Sequence, residues 1–275
     1  MPTIPRVAAF HDISGYGRCS LTVAIPILSA MGIQCCPVPT AVLSCHTGIP
    51  HYRFFDLTDF LPAYLEGWEE NGMLFDAVYS GFLGSCRQIG IVRGFIEKTL
   101  AKNPDAVILV DPVLGDDGRL YDTVTEDMRR EMIHLAASAD CITPNITELC
   151  LMTDTPYRPE EMTAERVASL AARLCTGRTK TVIVTGIDAG DEVHNLVYRP
   201  GEPYAVAASP HFSRPLPGAG DIFASVVCGK LLSGYTPLAA ATAAASFVGK
   251  AAVLTEAENA PFAEGVLFEP FLREL

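Results

Sequence analysis

The sequence predicts an α/β fold: a mostly parallel, doubly wound central sheet with helices on both faces. Three observations predict it. Short β-rich runs alternate with amphipathic stretches, the pattern of successive βαβ units. Val-Ile-Leu-Val at 107–110 and Val-Ile-Val at 182–184 are apolar on both faces, as a strand covered by helices on either side requires. Polar residues punctuate the end of one predicted strand after another, always in the same topological position.

The elements follow in order. Residues 7–10 read as the first strand and 20–31 as a helix kinked at Pro26. Residues 33–44 are extended, with prolines at 37 and 39. A helix over 58–71, a strand over 77–80 and a helix over 85–102 come next. Then follow a buried strand over 106–110, a helix over 125–137, a strand over 140–143, a helix over 163–175 and a strand over 181–185. Residues 193–198 and 204–208 flank Pro200-Gly201 and pair as a hairpin. Two small-residue helices, 220–232 and 237–255, and a last helix over 262–274 complete the chain. No Ser/Gly/Pro-rich linker, repeat or low-complexity block divides it, so residues 1–275 are expected to form one domain.

Composition narrows the function. Twenty basic and 32 acidic side chains give a net charge of −12. That balance argues against a general nucleic-acid binder, which needs clustered Lys and Arg, and against docking on an anionic membrane. Nine cysteines, an odd number with no CxxC spacing, fit neither a disulfide framework nor a zinc site. A reduced, cytoplasmic protein is the expectation. Gly, Pro or charge interrupts each apolar stretch before about 18 residues, so no transmembrane helix is expected.

The strongest local signal is Pro217-Gly218-Ala219-Gly220-Asp221, which opens an apolar helix. Glycines let the backbone turn sharply and approach a ligand, and the helix start aims unpaired N–H groups at that point. Such an anion hole needs no lysine. Asp221, in the first turn, is placed to act as general base on a hydroxyl while the amides hold phosphoryl charge. The strand ends add His11-Asp12, Ser44-Cys45-His46-Thr47, Ser80-Gly81, Asp111-Pro112, Thr143-Pro144-Asn145 and Thr185-Gly186. In open α/β sheets, ligands bind beyond those carboxyl ends. Asn145-Ile-Thr-Glu148 also has the spacing of a capping box. Other nucleotide motifs fail. The Gly-Lys pairs at 229–230 and 249–250 lack the first glycine of a Walker A loop, and Gly15-Tyr-Gly17-Arg-Cys-Ser20 has serine for the third glycine of a dinucleotide fingerprint.

Together, Pro-Gly-Ala-Gly-Asp (217–221), Asp-Pro-Val-Leu-Gly-Asp (111–116) and Thr-Pro-Asn-Ile-Thr-Glu-Leu (143–149) resemble the ribokinase-like superfamily. Gly-Arg-Leu-Tyr (118–121), Ser-Cys-His-Thr-Gly (44–48) and Ser-Gly-Phe-Leu-Gly-Ser (80–85) are similar to its pyridoxal kinase branch. The resemblance runs in order from about residue 6 to residue 255. It implies a three-layer α/β/α sandwich, ATP with Mg²⁺, a monovalent cation such as K⁺ as a further candidate, a homodimer, and phosphorylation of the 5′-hydroxymethyl group of a B6 vitamer.

Site roles follow from the same resemblance. Asp221 is the base, and Gly218, Ala219 and Gly220 form the anion hole. Asp111, Asn145, Glu148, Thr185 and Gly186 serve ATP. Asp111, Asp116 and Glu148 hold the metal or its waters. His46, Thr47 and Tyr121 lie by the substrate. The first loop, 10–17, departs from the branch, where a serine binds the ring. It is partly similar to hydroxymethylpyrimidine kinases, and either His11 or Asp12 faces the heterocycle. Hydroxymethylpyrimidine is therefore the alternative substrate. A non-catalytic binding protein on this fold is the rival of another class, but it is expected to have lost Asp221 or the acidic metal residues.

Overall fold

The computed structural model describes residues 4–212 and 216–275. The strands are β1 (Arg6–Ser14), β2 (Gln34–Leu43), β3 (Phe54–Asp56), β4 (Ala77–Ser80), β5 (Val107–Val110), β6 (Gly115–Asp116), β7 (Arg119–Leu120), β8 (Cys141–Ile142), β9 (Thr181–Asp188), β10 (Glu192–Tyr198) and β11 (Ala205–Pro210). The helices are α1 (Leu21–Ala30), α2 (Leu61–Glu70), α3 (Cys86–Lys102), α4 (Glu126–Ala136), α5 (Ile146–Met152), α6 (Ala164–Leu174), α7 (Ala219–Leu232) and α8 (Pro237–Ala257).

Nine strands form one sheet in the order β11-β10-β9-β8-β5-β4-β1-β2-β3. The six from β9 to β2 are parallel, while β10, β11 and β3 add antiparallel margins. On one face α1, α7 and α8 bury Val23, Ile27, Val226 and Ala244 against Val7, Tyr79 and Leu109. On the other, α3, α4 and α6 bury Ile89, Met132 and Val167 against Phe10, Val78 and Ile108. This is the three-layer sandwich that the motifs implied.

Register sets the position of the site. Phe10, Ser80, Val110, Ile142 and Val182 lie in one row across five strands. The next residue along each strand therefore comes to the same edge, and those residues include His11, Gly81, Asp111 and Thr143. The chain order reverses between β1 and β4, a topological switch point of the kind where α/β sheets bind ligands. At β1 the pairing with β2 slips by one residue between His11 and Ile13, around Asp12.

Three expectations are corrected. The last helix, 262–274, is two 3-10 segments, Phe262–Glu264 and Glu269–Glu274. Gly265 at φ +70 breaks it, and Pro270 removes a backbone donor. The helix expected over 58–71 starts at Leu61, because Thr58 spends its N–H and hydroxyl on Asp56. The β6–β7 hairpin, β3 and α5 are additional, each too short for periodicity to show. By length and composition α8 is long and apolar enough to cross a membrane, although Gly249 and Lys250 interrupt its apolar run. Its alanines and Phe247 pack on α7 and the sheet, so they belong to the core.

Candidate active site

The start of α7 supplies the sharpest feature. Gly218 takes φ +84, and a side chain there would collide with the Arg18 carbonyl oxygen, so only glycine fits this turn. Of the three amides expected in the anion hole, that of Ala219 donates to the Leu216 carbonyl at 3.2 Å. Gly220 is exposed and has open space around it. Asp221 follows in the first turn, half-buried, where the helix dipole favours negative charge. Burial pushes its carboxyl up to about 7; the charge of Asp12 acts in the same direction and the facing Ser20 amide against it. Tyr79, inside the sheet, reaches Ser225 of α7 at 3.3 Å and so seats the helix on β4.

A cluster of carboxyl groups meets this helix start. Asp111, at the end of β5, is 8% exposed and accepts a hydrogen bond from the Thr143 hydroxyl at 2.9 Å. Burial pushes it up to about 8, and the Asp221 charge adds to that. Burial likewise holds Glu148 well above the carboxylate range, with Asp111 contributing, while the Asn145 and Leu114 amides oppose the shift. Asp116 is raised by burial, opposed by the Asp117 amide. Tyr121 titrates above its ordinary value, first through burial and then through Glu148, Asp116, Asp111 and Asp221. Five predicted residues thus share one electrostatic neighbourhood. Asp111, Asp116, Glu148 and Asp221 form no ion pair with Lys or Arg among the described residues. No three His, Cys, Asp or Glu side chains there converge as a ready-made metal cage. Asp111 and Glu148 are buried, Asp221 half-buried and Asp116 exposed, and such a set without a cage fits a divalent cation that keeps waters and binds partly through substrate phosphates.

Asn145 and Glu148 act first as local scaffolding. Asn145 caps α5 by accepting from the Glu148 amide at 2.8 Å, and Glu148 accepts from the Asn145 amide at 2.8 Å. This is the capping box that the spacing predicted. The Asn145 amide group also donates to the Gly115 carbonyl at 3.0 Å, and the Leu114 amide donates to Glu148 at 3.1 Å. Both bonds tie the β6–β7 hairpin, which carries Asp116, to α5. Thr185 pairs with Asn145 through an isolated parallel bridge, so β9 delivers Thr185 and Gly186 beside this cluster. Gly186 is exposed and takes φ +73.

The first-loop residues separate. His11 is fully buried, packs edge-on to Tyr79 at 4.3 Å and lies so close beneath Gly81 that no side chain fits there. Burial lowers its pKa to about 3, and neither ring nitrogen has a hydrogen-bond partner. Asp12 is 5% exposed and accepts hydrogen bonds from Ser14 at 3.0 Å and Ser20 at 2.5 Å. His46 is buried with Nε2 3.1 Å from the Ala263 carbonyl and its ring 6.0 Å from Phe262, while Thr47 is exposed. Ser20 and the 262–263 wall were given no role from the sequence, and Thr143 was noted only as a strand-end residue. Its role, donating to Asp111, depends on a residue 32 positions away and carries no local signal. Residues 262–263 lie far along the chain and carry no local signal.

The chain also matches known proteins over most of its length. Residues 27–262 fit the model of a family described as phosphomethylpyrimidine kinase. The chain belongs to this family. Among its relatives, the pyridoxal kinase PdxY of Rubrobacter xylanophilus is 30% identical over 237 residues, covering 83% of this chain and 80% of that protein. A protein of Bacteroides thetaiotaomicron assigned to the same family and crystallised with pyridoxal is 41% identical, with a TM-score of 0.93 over 99% of this chain and 96% of that one. Pyridoxal kinase of Lactobacillus plantarum superimposes with a TM-score of 0.90 at 26% identity, covering 99% and 96% of the two chains. These likenesses lie in the pyridoxal kinase branch that the motifs resembled.

Proposed function

We propose that this protein is a pyridoxal kinase, transferring the γ-phosphoryl group of ATP to the 5′-hydroxymethyl group of a B6 vitamer. One observation carries the reading most directly. A glycine-turned helix start and its half-buried aspartate meet a cluster of carboxyl groups at the switch point, in a family whose named relatives are pyridoxal kinases.

Asp221 takes the proton of the vitamer hydroxyl. The hydroxyl oxygen attacks the γ-phosphorus, the bond to the β-phosphate oxygen breaks, and ADP leaves. A carboxyl group poised at about 7 is matched to proton transfer near neutrality. The 218–220 turn holds the charge that spreads over the transferring group. Asp111, Asp116 and Glu148 would hold Mg²⁺ or its waters, and the bound ion supplies neutralisation of phosphate charge. Thr185, Gly186 and Asn145 line the nucleotide side, and His46, Thr47 and Tyr121 the vitamer side. The continuous nine-stranded sheet supports reading residues 1–275 as one kinase domain. Homodimeric assembly and a monovalent cation such as K⁺ belong to the same proposal and rest on the family resemblance, while cytoplasmic residence rests on the cysteine usage.

The family's description favours a second reading, a kinase acting on hydroxymethylpyrimidine or its phosphate. Side-by-side kcat/KM values for pyridoxal, pyridoxamine, pyridoxine and hydroxymethylpyrimidine decide between them. The first reading predicts at least about tenfold preference for a vitamer, and a preference for the pyrimidine overturns it.

A further inference from the structure

Ser20 is a non-glycine residue at φ 51°, ψ −128°, a backbone shape that L-residues rarely adopt. It occupies the cap position of α1, yet its side chain caps nothing. Its hydroxyl instead donates to Asp12 Oδ1 at 2.5 Å, inside the protein. The other Asp12 oxygen accepts from the Ser14 hydroxyl at 3.0 Å. Asp12 sits where the β1–β2 register slips, which turns that side chain toward the loop. The same loop backs the start of α7. The Arg18 carbonyl fills the space beside Gly218, and the Ser20 amide faces the Asp221 carboxylate. Gly17 abuts His46 and the Ala263 carbonyl, and Arg18 is bonded to Glu269 and to the Glu264 carbonyl.

We infer that Asp12 and Ser20 are positioning residues for Asp221: the Asp12 carboxylate clasps the Ser20 hydroxyl and holds the 17–20 loop in the strained shape that backs the catalytic helix start. The inference rests on the reading of Asp221 as the base. It also gives Asp12 a role other than contact with the heterocycle, since both of its oxygens are taken by serine hydroxyls. Strained backbone persists where its surroundings over-determine it, and here the clasp does so beside the reacting groups. A misplacement of about 1 Å at such a site can cost about a hundredfold in rate.

Four variants test the clasp: Ser20→Ala, Ser20→Gly, Asp12→Ala and the double variant Asp12→Ala/Ser20→Gly. kcat and KM are measured for ATP and pyridoxal. Ser20→Ala keeps the β-carbon but loses the clasp, so kcat falls about tenfold or more while both KM values stay within about twofold. Ser20→Gly reaches the same backbone angles without strain and recovers most of that loss. Asp12→Ala loses kcat as Ser20→Ala does, and adding Ser20→Gly restores it. Wild-type kcat in Ser20→Ala overturns the inference, as does a Ser20→Gly variant as impaired as Ser20→Ala. A raised pyridoxal KM in Asp12→Ala that the second substitution fails to rescue also overturns it, and makes Asp12 a substrate contact. Should Ser20→Ala not fold, the two Asp12 variants decide alone. Asp221→Asn separates the two levels. An inactive Asp221→Asn with normal Ser20 variants removes only the clasp, whereas near-normal turnover in Asp221→Asn removes the base assignment on which it rests.

Discussion

Asp221 and Asp111 are both carboxyl groups held above their ordinary range, with different consequences. For Asp221 the consequence is kinetic. Losing a positioned general base typically costs about 10²–10⁴ in rate. Asp221→Ala is expected to bind ATP normally in calorimetry and to lose at least about a hundredfold in kcat. For Asp111 the consequence is stability. In the unfolded chain it ionises near the ordinary carboxylate value of 3.8, and in the fold near 8. Between those values folding takes up a proton, so this group's contribution falls as pH rises through that window and levels off above about 8. Asp111→Asn cannot titrate and still offers an oxygen to the Thr143 hydroxyl. Without nucleotide or metal it should be more stable than wild type at pH 8.5 by on the order of 1–3 kcal/mol, with the gain vanishing toward pH 4. Equal gains at both pH values in calorimetry would contradict a raised Asp111. Asp221 and Asp111 were legible as residues because each follows a turn or strand with a recognisable motif. Their raised pKa values were not, since burial and mutual repulsion depend on elements 110 residues apart in the chain.

At the scale of the element, the α7 start and the α5 cap make separable predictions. Gly218→Ala places a β-carbon against the Arg18 carbonyl at positive φ, with no flexible side chain to yield. It should destabilise by about 2 kcal/mol or more and abolish turnover. Gly220→Ala meets open space in ordinary helical backbone and should raise thermal stability slightly, by up to about 1 kcal/mol. Thermal unfolding of the pair checks the contrast, and equal destabilisation would contradict it. Asn145→Ala loses its cap on α5 and its bond to Gly115, and should cost about 1–2 kcal/mol in denaturant unfolding. Elements with strong period or punctuation were readable: residues 77–80 and the start of the 85–102 helix agree with the structure to within a residue. The β6–β7 hairpin was not, because two-residue strands have no period and are held by Asn145 and Glu148 from another element. The 262–274 segment misled because its apolar residues pack against α1 and α8 from 3-10 turns, which a helical reading of the same residues imitates.

Across the whole molecule, a net charge of −12 has to coexist with the proposed site for polyphosphate. On the proposed reading, the site would meet anions with backbone amides at a helix start, and its own acidic residues would face a cation. The parallel register brings residues from five strands to one edge, and reversal of strand order opens the crevice there. That architecture was readable from alternation and from runs apolar on both faces. The closing wall was not, because the contact of Ala263 with His46 spans 217 positions of sequence.

The assignment of Asp221 as the base of a pyridoxal kinase is tested most directly by following ADP and phosphorylated vitamer together in wild type and Asp221→Asn, with pyridoxal as acceptor. It predicts ADP and pyridoxal 5′-phosphate formed one for one by the wild type. It also predicts a loss of at least about a hundredfold in Asp221→Asn with ATP binding retained. ADP release without phosphorylated vitamer, or near-normal turnover in the variant, would contradict it.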